Sequence, residues 1–172
     1  MGLPEIFISF QTAAVSAITR SARGVLAVAV KDATAGGAAE AAYKSLAEVP
    51  EDKFSPENYR LLKLAFLAAP TKVWVLRVGE DAEKTYQALE RLRFDWLAAP
   101  GLEDARVMSF IKTLRNGGRG VKAVVANAKA PDCEGIVNLC VSGLTLEDGA
   151  MEAKDYAVRV AALLAALPLT RS

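Results

Sequence analysis

Residues 55–78 constrain the fold more than any other part of the chain, because they hold a helix start, a helix, a stop and a strand in succession. Ser55 can accept hydrogen bonds from the free amides of a first helical turn, where Pro56 needs no amide of its own. Pro70 ends the helix. Residues 72–78 are rich in β-branched side chains, which is typical of a strand. The apolar residues at helical spacing are Tyr59, Leu61, Leu62, Leu64, Ala65, Phe66 and Ala69.

Apolar strand-length runs and amphipathic helices alternate along the rest of the chain. The predicted strands are residues 25–30, 72–78, 94–99, 121–126 and 135–141, and the predicted helices are residues 55–69, 81–92, 103–116 and 152–167. Residues 32–42 are predicted to be a mobile loop, residues 43–49 a weak strand or turn, and residues 145–149 a polar loop. This alternation favours right-handed crossovers between parallel strands. The sequence therefore predicts an α/β domain of doubly wound or flavodoxin-like type, a mostly parallel sheet with helices on both faces, its strand order open.

The spacing of apolar residues also predicts which face each later helix buries. Asp81 caps a helix that packs through Ala82, Tyr86, Leu89 and Leu92. The helix of residues 103–116 packs through Val107, Phe110, Ile111 and Leu114, and glycines 117 and 118 supply its left-handed stop. The final helix is predicted to pack through Tyr156, Val160, Leu163, Leu164 and Leu167.

The composition fits one domain and gives no sign of a nucleic-acid or membrane partner. At 172 residues the chain is long enough to bury a core. A net charge of +1 gives no strong electrostatic attraction for nucleic acid. The apolar runs are far shorter than the ~18 residues of a membrane span. The first ten residues show no basic leader followed by an apolar core, so no secretory signal is expected. Two cysteines are too few for a disulfide scaffold, which favours a reducing, intracellular setting.

The chain contains no histidine, and this absence excludes much chemistry. A Ser-His-Asp triad has no base, and Ser142 lacks the flanking pattern of a nucleophile elbow. Adjacent acidic pairs such as Glu103 and Asp104 point in different directions. An α/β enzyme or nucleotide-binding module would need a polar cleft at the carboxyl ends of the strands, near residues 79–81 and 100–103. An enzyme that uses only lysine or carboxylate side chains remains an alternative.

The remaining polar motifs have plain structural explanations. Residues 115–120 lack the spacing of a phosphate-binding loop and follow a helix, so a helix stop is the better interpretation. Lys112, Arg115, Arg119 and Lys122 form a basic cluster without interleaved aromatic residues, as on a solvated face. Cys133 and Cys140 lack further metal ligands; Cys140 is predicted to lie in the core and Cys133 to be a free loop thiol. We therefore predict no catalytic residue, cofactor or metal.

Five segments resemble the tail sheath proteins of contractile tails, in the branch found in prophages and phage-tail-like bacteriocins of Gram-positive bacteria. They are GLPEIFISF at the start, AITRSARG before the first apolar strand, FSPENYRLLKLAFLAAPTKVWVLRV, FDWLAAPG and the closing DYAVRVAALLAALPLTRS. These segments are spread over nearly the whole chain. Their order and spacing carry the resemblance, since none is a catalytic signature.

The resemblance implies a structural, non-enzymatic subunit with a core often described as subtilisin-like. Such subunits polymerise around an inner tube, and the sheath contracts to drive the tube through a cell envelope. The implied partners are neighbouring sheath subunits, the inner tail tube protein and the baseplate. Assembly in the host bacterial cytoplasm, as part of a virion tail or phage-tail-like particle, is also implied. The alternative is an α/β nucleotide- or small-molecule-binding domain or enzyme of unknown substrate.

The resemblance also implies a division of the chain. Residues 1–23 form an N-terminal arm and linker, and residues 24–172 form the sheath core domain, without the C-terminal domain and arm of the family. The N-terminal arm, residues 3–10, is expected to add a strand to the sheet of a neighbouring subunit. It alternates loosely, with Ile6, Ile8 and Phe10 on one side. Its residues are Leu3, Pro4, Glu5, Ile6, Phe7, Ile8, Ser9 and Phe10.

Overall fold

A six-stranded sheet forms the centre of the computed structural model, which describes residues 24–127, 129 and 131–167. Its strands are β1 (Val25–Lys31), β2 (Glu40–Tyr43), β3 (Lys72–Val78), β4 (Trp96–Ala98), β5 (Lys122–Val125) and β6 (Ile136–Asn138). Four helices connect or follow them: α1 (Pro56–Phe66), α2 (Ala82–Arg91), α3 (Asp104–Asn116) and α4 (Ala153–Ala166). A small hairpin of β7 (Thr145–Leu146) and β8 (Gly149–Ala150) precedes α4.

The strand order is β2-β3-β1-β4-β5-β6, and every neighbouring pair is parallel except β2 with β3. Numbered among themselves, the five parallel strands follow the order 2-1-3-4-5, which is that of flavodoxin-like folds. The predicted α/β class, with a mostly parallel sheet, is confirmed. The order reverses between β1 and β4, so the carboxyl ends of these two strands flank the position where ligands of such sheets usually bind.

Helices cover both faces of the sheet and give it two apolar cores. One core contains Ala27, Leu76, Leu89, Leu97 and Ile111, which lie between the sheet and helices α2 and α3. The other contains Leu26, Val28, Leu62, Val75 and Ala161, between the sheet and helices α1 and α4. Residues 26–29 of β1 are completely buried. This burial on both faces explains the continuous apolar run in the sequence.

Two predicted helix caps and one predicted stop are present. The Ser55 hydroxyl accepts a hydrogen bond from Asn58 N at 3.3 Å, and the Asp81 carboxylate accepts one from Glu83 N at 3.0 Å. Gly118 has φ +85°, as a left-handed helix stop requires. Helix α1 ends at Phe66 rather than at Ala69, because Ala69 itself takes a left-handed φ of 51° before Pro70.

The prediction of a mobile loop over residues 32–42 is wrong for its last three residues. Residues 40–43 form the antiparallel edge strand β2, with Ala41 opposite Val75. The amide of Arg77 also donates to the carbonyl oxygen of Ala39 at 2.8 Å. The strand exists because β3 offers a free edge to pair with, a tertiary feature that a run of alanine, glycine and threonine does not signal.

The predicted packing face of the final helix is also wrong. The buried residues of α4 are Ala157, Val158, Ala161, Ala162 and Ala165. Leu163 and Leu167 are 44% and 57% exposed, although they were predicted to face the sheet. The spacing of apolar residues did not identify the buried face of α4, because the helix is apolar on most sides. The alanine face packs on the sheet because its small side chains let the helix approach closely.

Smaller differences concern element limits. The predicted strands at residues 94–99, 121–126 and 135–141 are shortened to β4, β5 and β6, and the predicted helix 152–167 to α4. Residues 145–149, predicted as a polar loop, lie in the β7–β8 hairpin. In α1 the buried residues are Asn58, Leu61, Leu62 and Ala65, so three of them lie in the predicted apolar arc and Asn58 is the addition.

Candidate functional site

The crevice at the carboxyl ends of β1 and β4 is occupied by the chain itself. Gly101 N donates to the carbonyl oxygen of Ala29 at 2.9 Å. A Cβ atom on Gly101 would lie only 2.6 Å from Lys31 N, so the two backbones are in direct contact. Leu102 follows and is 4% exposed. The loop after β4 therefore lies where a nucleotide would sit in a ligand-binding sheet of this topology.

A lysine of α4 holds this loop from the other side. The ammonium group of Lys154 donates to the carbonyl oxygen of Leu102. Its nitrogen also lies 3.9 Å from a carboxylate oxygen of Asp104, at the start of α3. These contacts join α3 and α4 over the crevice. An α/β enzyme or nucleotide-binding module would need an open polar cleft beside residues 100–103, and here the chain itself fills that position.

A polar cluster lies just after β1 and is centred on Asp32, whose side chain is fully buried. One carboxylate oxygen accepts hydrogen bonds from Ser55 N at 2.9 Å and from Asn58 Nδ2 at 2.7 Å. The other accepts from Thr34 N at 2.9 Å. Asn58 also donates to the carbonyl oxygen of Lys31 at 2.8 Å. Asp32 therefore joins the end of β1 to the start of α1.

Arg77 extends this cluster toward β2. Its guanidinium lies 3.5 Å from Asp32 Oδ1 and donates to the carbonyl oxygen of Thr34 at 2.9 Å. It also donates to the carbonyl oxygen of Lys53. The guanidinium carbon lies 4.5 Å from the centre of the Phe54 ring. A charged side chain that is only 9% exposed is thus stacked and hydrogen-bonded within the fold.

The electrostatics of Asp32 suit a structural role better than catalysis. Burial by itself raises the pKa of the carboxyl, but the hydrogen bonds from Asn58, Ser55 and Thr34 outweigh it and hold the pKa well below its usual range. A general base needs a pKa near the working pH, so this carboxylate is a poor proton acceptor. Its oxygens already accept bonds from three different segments.

A second polar cluster, centred on Arg60, joins α1 to the β7–β8 hairpin. The guanidinium of Arg60 binds Asp148 in a bidentate pair, with Nε 2.6 Å from Asp148 Oδ2. The same group donates to the carbonyl oxygens of Gly149 at 3.0 Å and Ala150 at 3.1 Å. This pairing lowers the pKa of Asp148. Arg60 is the contact that fixes a hairpin whose residues are otherwise mostly exposed.

Two of the four basic residues singled out in the sequence, Arg115 and Arg119, hydrogen-bond to main-chain carbonyl groups. Arg119 donates to the carbonyl oxygens of Glu90 at 2.9 Å and Leu92 at 2.6 Å. Arg115 donates to the carbonyl oxygen of Val121 at 3.2 Å and pairs with Glu134. Residues 115–120 therefore end α3 and lead into β5. This arrangement agrees with a helix stop rather than a phosphate-binding loop.

The prediction that Cys140 lies in the core is wrong, because Cys140 is exposed. Cys133 is a free thiol on the loop before β6, as predicted, and is half-buried against the core beneath α2 and α3. Strand β6 ends at Asn138, so Cys140 lies beyond the last paired residue rather than inside a buried strand. Within the described ranges, no group of three or more Cys, Asp and Glu side chains could hold a metal ion. None of the helices described in residues 56–166 is long and apolar enough to span a membrane.

The N-terminal arm, residues 3–10, lies outside the described residues. What the structure does describe is the two edges of the sheet, β2 and β6, to which an added strand could pair. The polar clusters of Asp32, Arg77 and Arg60 were missed by sequence reasoning. Arg77 within the apolar run of β3 was the one available signal, since a charge inside a buried strand needs a partner.

Comparisons with known proteins find tail sheath proteins that are similar to this doubly wound α/β domain. The chain is 32% identical to the tail sheath protein of Clostridium phage phiCD119 over an alignment 188 positions long, gaps included. That alignment covers 99% of this chain and 50% of the relative. No protein-family model matches the chain. The chain is thus a homologue of a phage tail sheath protein, spanning about half of its length, and the predicted resemblance to tail sheath proteins is confirmed.

Two solved structures share the fold. The sheath tail protein of Listeria innocua superposes with a TM-score of 0.70 at 16% identity, over 91% of this chain and 61% of that one. The sheath tail protein of Desulfitobacterium hafniense gives a TM-score of 0.70 at 14% identity, over 89% of this chain and 61% of that one. At these identities the two structures support the fold alone.

Proposed function

We propose that this chain is the α/β domain of a structural subunit that polymerises into a contractile tail sheath. The observation that carries the proposal is the match to a tail sheath protein along 99% of the chain. In the proposed assembly, the sheath surrounds an inner tube and contracts to drive it through a cell envelope. Its partners are neighbouring subunits, the inner tail tube protein and the baseplate. Assembly takes place in the cytoplasm of the host bacterium.

A non-enzymatic role is supported by the site geometry. The loop that contains Gly101 fills the usual ligand position, and the carboxylate of Asp32 is committed to main-chain and side-chain donors. The alternative function, a nucleotide- or small-molecule-binding domain or enzyme, would have to use another surface. Native mass spectrometry of the purified protein tests this: a cofactor retained in stoichiometric amount would favour the alternative.

The proposal includes a role for the N-terminal arm, which contributes a strand to the sheet of a neighbouring subunit. An added strand gains main-chain hydrogen bonds from an exposed edge and specificity from alternate side chains. One such contact is weak, since each hydrogen bond contributes only about 1 kcal/mol net. Many linked arms in a polymer would supply avidity.

Electron microscopy of the full-length protein that carries this chain tests the assembly role. We expect tubular polymers from the unmodified protein and none after deletion of residues 1–10. The matched control is the substitution of Ser16→Ala in the linker of residues 11–23, which should leave the tubes intact. Soluble single particles from the unmodified protein under all assembly conditions would contradict the proposal.

A further inference from the structure

A third polar cluster lies at the amino-terminal end of the sheet, where β1 begins. Gly24 N donates to the carbonyl oxygen of Ala165, in the last turn of α4, at 2.6 Å. Val25 N donates to a carboxylate oxygen of Asp95 at 2.6 Å, and the carbonyl oxygen of Val25 accepts from Asp95 N at 2.8 Å. The carbonyl oxygen of Gly24 accepts from Thr71 N at 3.2 Å. Three other segments therefore bind all the main-chain polar groups of Gly24 and Val25.

Asp95 supplies an acceptor where the ladder between β1 and β4 has not yet begun. The first residue pair of that ladder is Leu26 with Trp96. For Val25 N, the Asp95 carboxylate takes the place of a main-chain carbonyl group. The main-chain oxygen of Asp95 also accepts from Lys122 N, at the start of β5, at 2.9 Å. Asp95 thus joins the start of β1 to the starts of β4 and β5, and its charge strengthens the bond to Val25.

The packing around Gly24 leaves little room for a side chain. A Cβ atom at this position would lie 3.1 Å from the carbonyl oxygen of Ala165 and 3.1 Å from a carboxylate oxygen of Asp95. Both distances are shorter than an ordinary van der Waals contact. Glycine therefore lets the end of α4 and Asp95 approach the start of β1 closely. We name Gly24, Val25, Asp95 and Ala165 together the Gly24 junction.

The chain enters and leaves the domain at the Gly24 junction. Residues 1–23 lead into β1 through Gly24, and α4 leads out of the domain past Ala165. Because Gly24 N and Ala165 O are in direct contact, tension between the chain before β1 and the chain after α4 acts on this contact first. Strand β1 lies in the middle of the sheet, between β3 and β4. Such tension does not stretch β1 along its length.

The direction of pulling determines how many hydrogen bonds must break at once. Tension across the Gly24 junction separates β1 and α4 from one end, so that bonds break one after another. Tension between the start of β1 and the end of β3 would instead load their whole parallel ladder together, from Val25 with Lys72 to Lys31 with Val78. Since each hydrogen bond contributes only about 1 kcal/mol net, the sequential route opens at a much lower force. The bonds of the junction are the first barrier on that route.

We propose that the Gly24 junction carries tension across this domain and that Asp95 sets the force at which the domain begins to open. While the junction holds, force passes from residues 1–23 to the chain beyond α4, and the sheet stays unloaded. The two apolar cores then keep their packing while the subunit is pulled. This inference rests on the proposed function, because contraction of a sheath is the source of the tension.

Single-molecule pulling with optical tweezers tests the proposal on the 172-residue chain. In the first geometry, peptide tags at the two ends of the chain hold the handles, so that tension crosses the Gly24 junction. In the second, the handles are attached at the N-terminal tag and at Glu80→Cys, an exposed position just after β3, in a Cys133→Ser, Cys140→Ser background. This geometry loads β1 against β3 along their lengths. We expect the first geometry to open at a several-fold lower force.

Variants of Asp95 test its role in each geometry. Asp95→Ala should raise the opening rate at a fixed force by about tenfold in the first geometry, as expected for the loss of one hydrogen bond to a charged group. In the second geometry the change should stay below about twofold, because there the bond is one of many that are loaded together. Asp95→Asn keeps an acceptor oxygen for Val25 N and should restore most of the resistance. Asp52→Asn, at an exposed carboxylate, is the matched control and should change neither geometry.

Equal opening forces in the two geometries of the parent chain would overturn the tension path, and this comparison does not depend on the folding of an Asp95 variant. A similar increase in rate from Asp95→Ala in both geometries, or no increase in the first, would overturn the role of Asp95. Failure of the proposed function is seen separately, as the absence of tubes from the full-length protein. If tubes form while the opening force does not depend on direction, only this inference fails.

Discussion

At the scale of single residues, the polar cluster of Asp32 is predicted to stabilise the fold. It connects the end of β1, the start of α1 and the segment before β2 through one buried carboxylate. A buried charge that lost its donors would be costly. The cluster therefore stabilises the arrangement of three segments at the carboxyl end of the sheet.

Asp32→Asn should lower the free energy of unfolding at pH 7 by about 1–3 kcal/mol, because an amide NH2 group would face donors instead of accepting from them. The folded-state pKa of Asp32 is depressed. Its contribution is thus complete above the unfolded-state pKa of about 4 and is lost as the pH falls toward the folded-state value. Urea denaturation at pH 7 and pH 2.5 should show the difference between variant and parent decreasing in acid.

The matched control for that experiment is Asp52→Asn, which removes an exposed carboxylate paired only with Lys53. Its effect should stay below about 0.5 kcal/mol at both pH values. Equal effects of the two substitutions would show that the Asp32 cluster does not stabilise the fold.

Ala69 is the described non-glycine residue with a positive φ, at 51°. A left-handed conformation costs an L-residue about 1–2 kcal/mol, part of which glycine avoids. Ala69→Gly should raise the free energy of unfolding by up to about 1 kcal/mol, after the greater chain entropy of glycine in the unfolded state is subtracted. Thermal unfolding should show a higher Tm. Ala68→Gly, one residue earlier, should lower it.

At the scale of elements, α4 shows how side-chain size selects a packing face. Its alanines 157, 161, 162 and 165 lie against the sheet, and its leucines at 163 and 167 point largely to solvent. Helix and strands can approach closely because the contacting side chains are small. The aliphatic residues at the flanks, Val160 and Leu164, pack along the margins of the contact.

Ala161→Leu should destabilise the domain by about 1–3 kcal/mol, because three extra carbon atoms must fit at a completely buried position. Leu163→Ala, two residues along the same helix, should change stability by less than about 1 kcal/mol, since that side chain is 44% exposed. Chemical denaturation of both variants measures the contrast. A larger loss from Leu163→Ala would mean that the leucine face packs on the sheet.

At the scale of the whole molecule, the described residues form two apolar cores on either side of a six-stranded sheet. The proposed assembly role gives residues 1–10 a place on a neighbour, where they would not contribute to the stability of a single dilute copy.

Deletion of residues 1–10 should therefore change the Tm of the dilute chain by less than about 2 °C, which corresponds to under 1 kcal/mol for a domain of this size. Differential scanning calorimetry measures the shift. Ile111→Ala, at a completely buried position, is the reference variant and should lower the Tm by several degrees. A fall of similar size on deletion would place the arm in its own core.

The sequence by itself determined the class of fold and the ends of most helices. Hydrophobic periodicity, the caps at Ser55 and Asp81 and the stop at Gly118 are local signals, and each depends on neighbours within about four residues. Together with the resemblance to tail sheath proteins, these signals indicated an α/β domain without a catalytic constellation. The tertiary structure decided the features that depend on contacts between distant segments.

Those features include the strand order, the edge strand β2, the alanine face of α4 and the partners of Asp32 and Arg77. The Asp32 contacts join residues 23 to 45 positions apart. The choice of an alanine face over a leucine face depends on how closely the sheet can be approached. The spacing of residues along the chain does not reveal the Asp32 contacts or the buried face of α4, because both arise only when separate elements pack against one another.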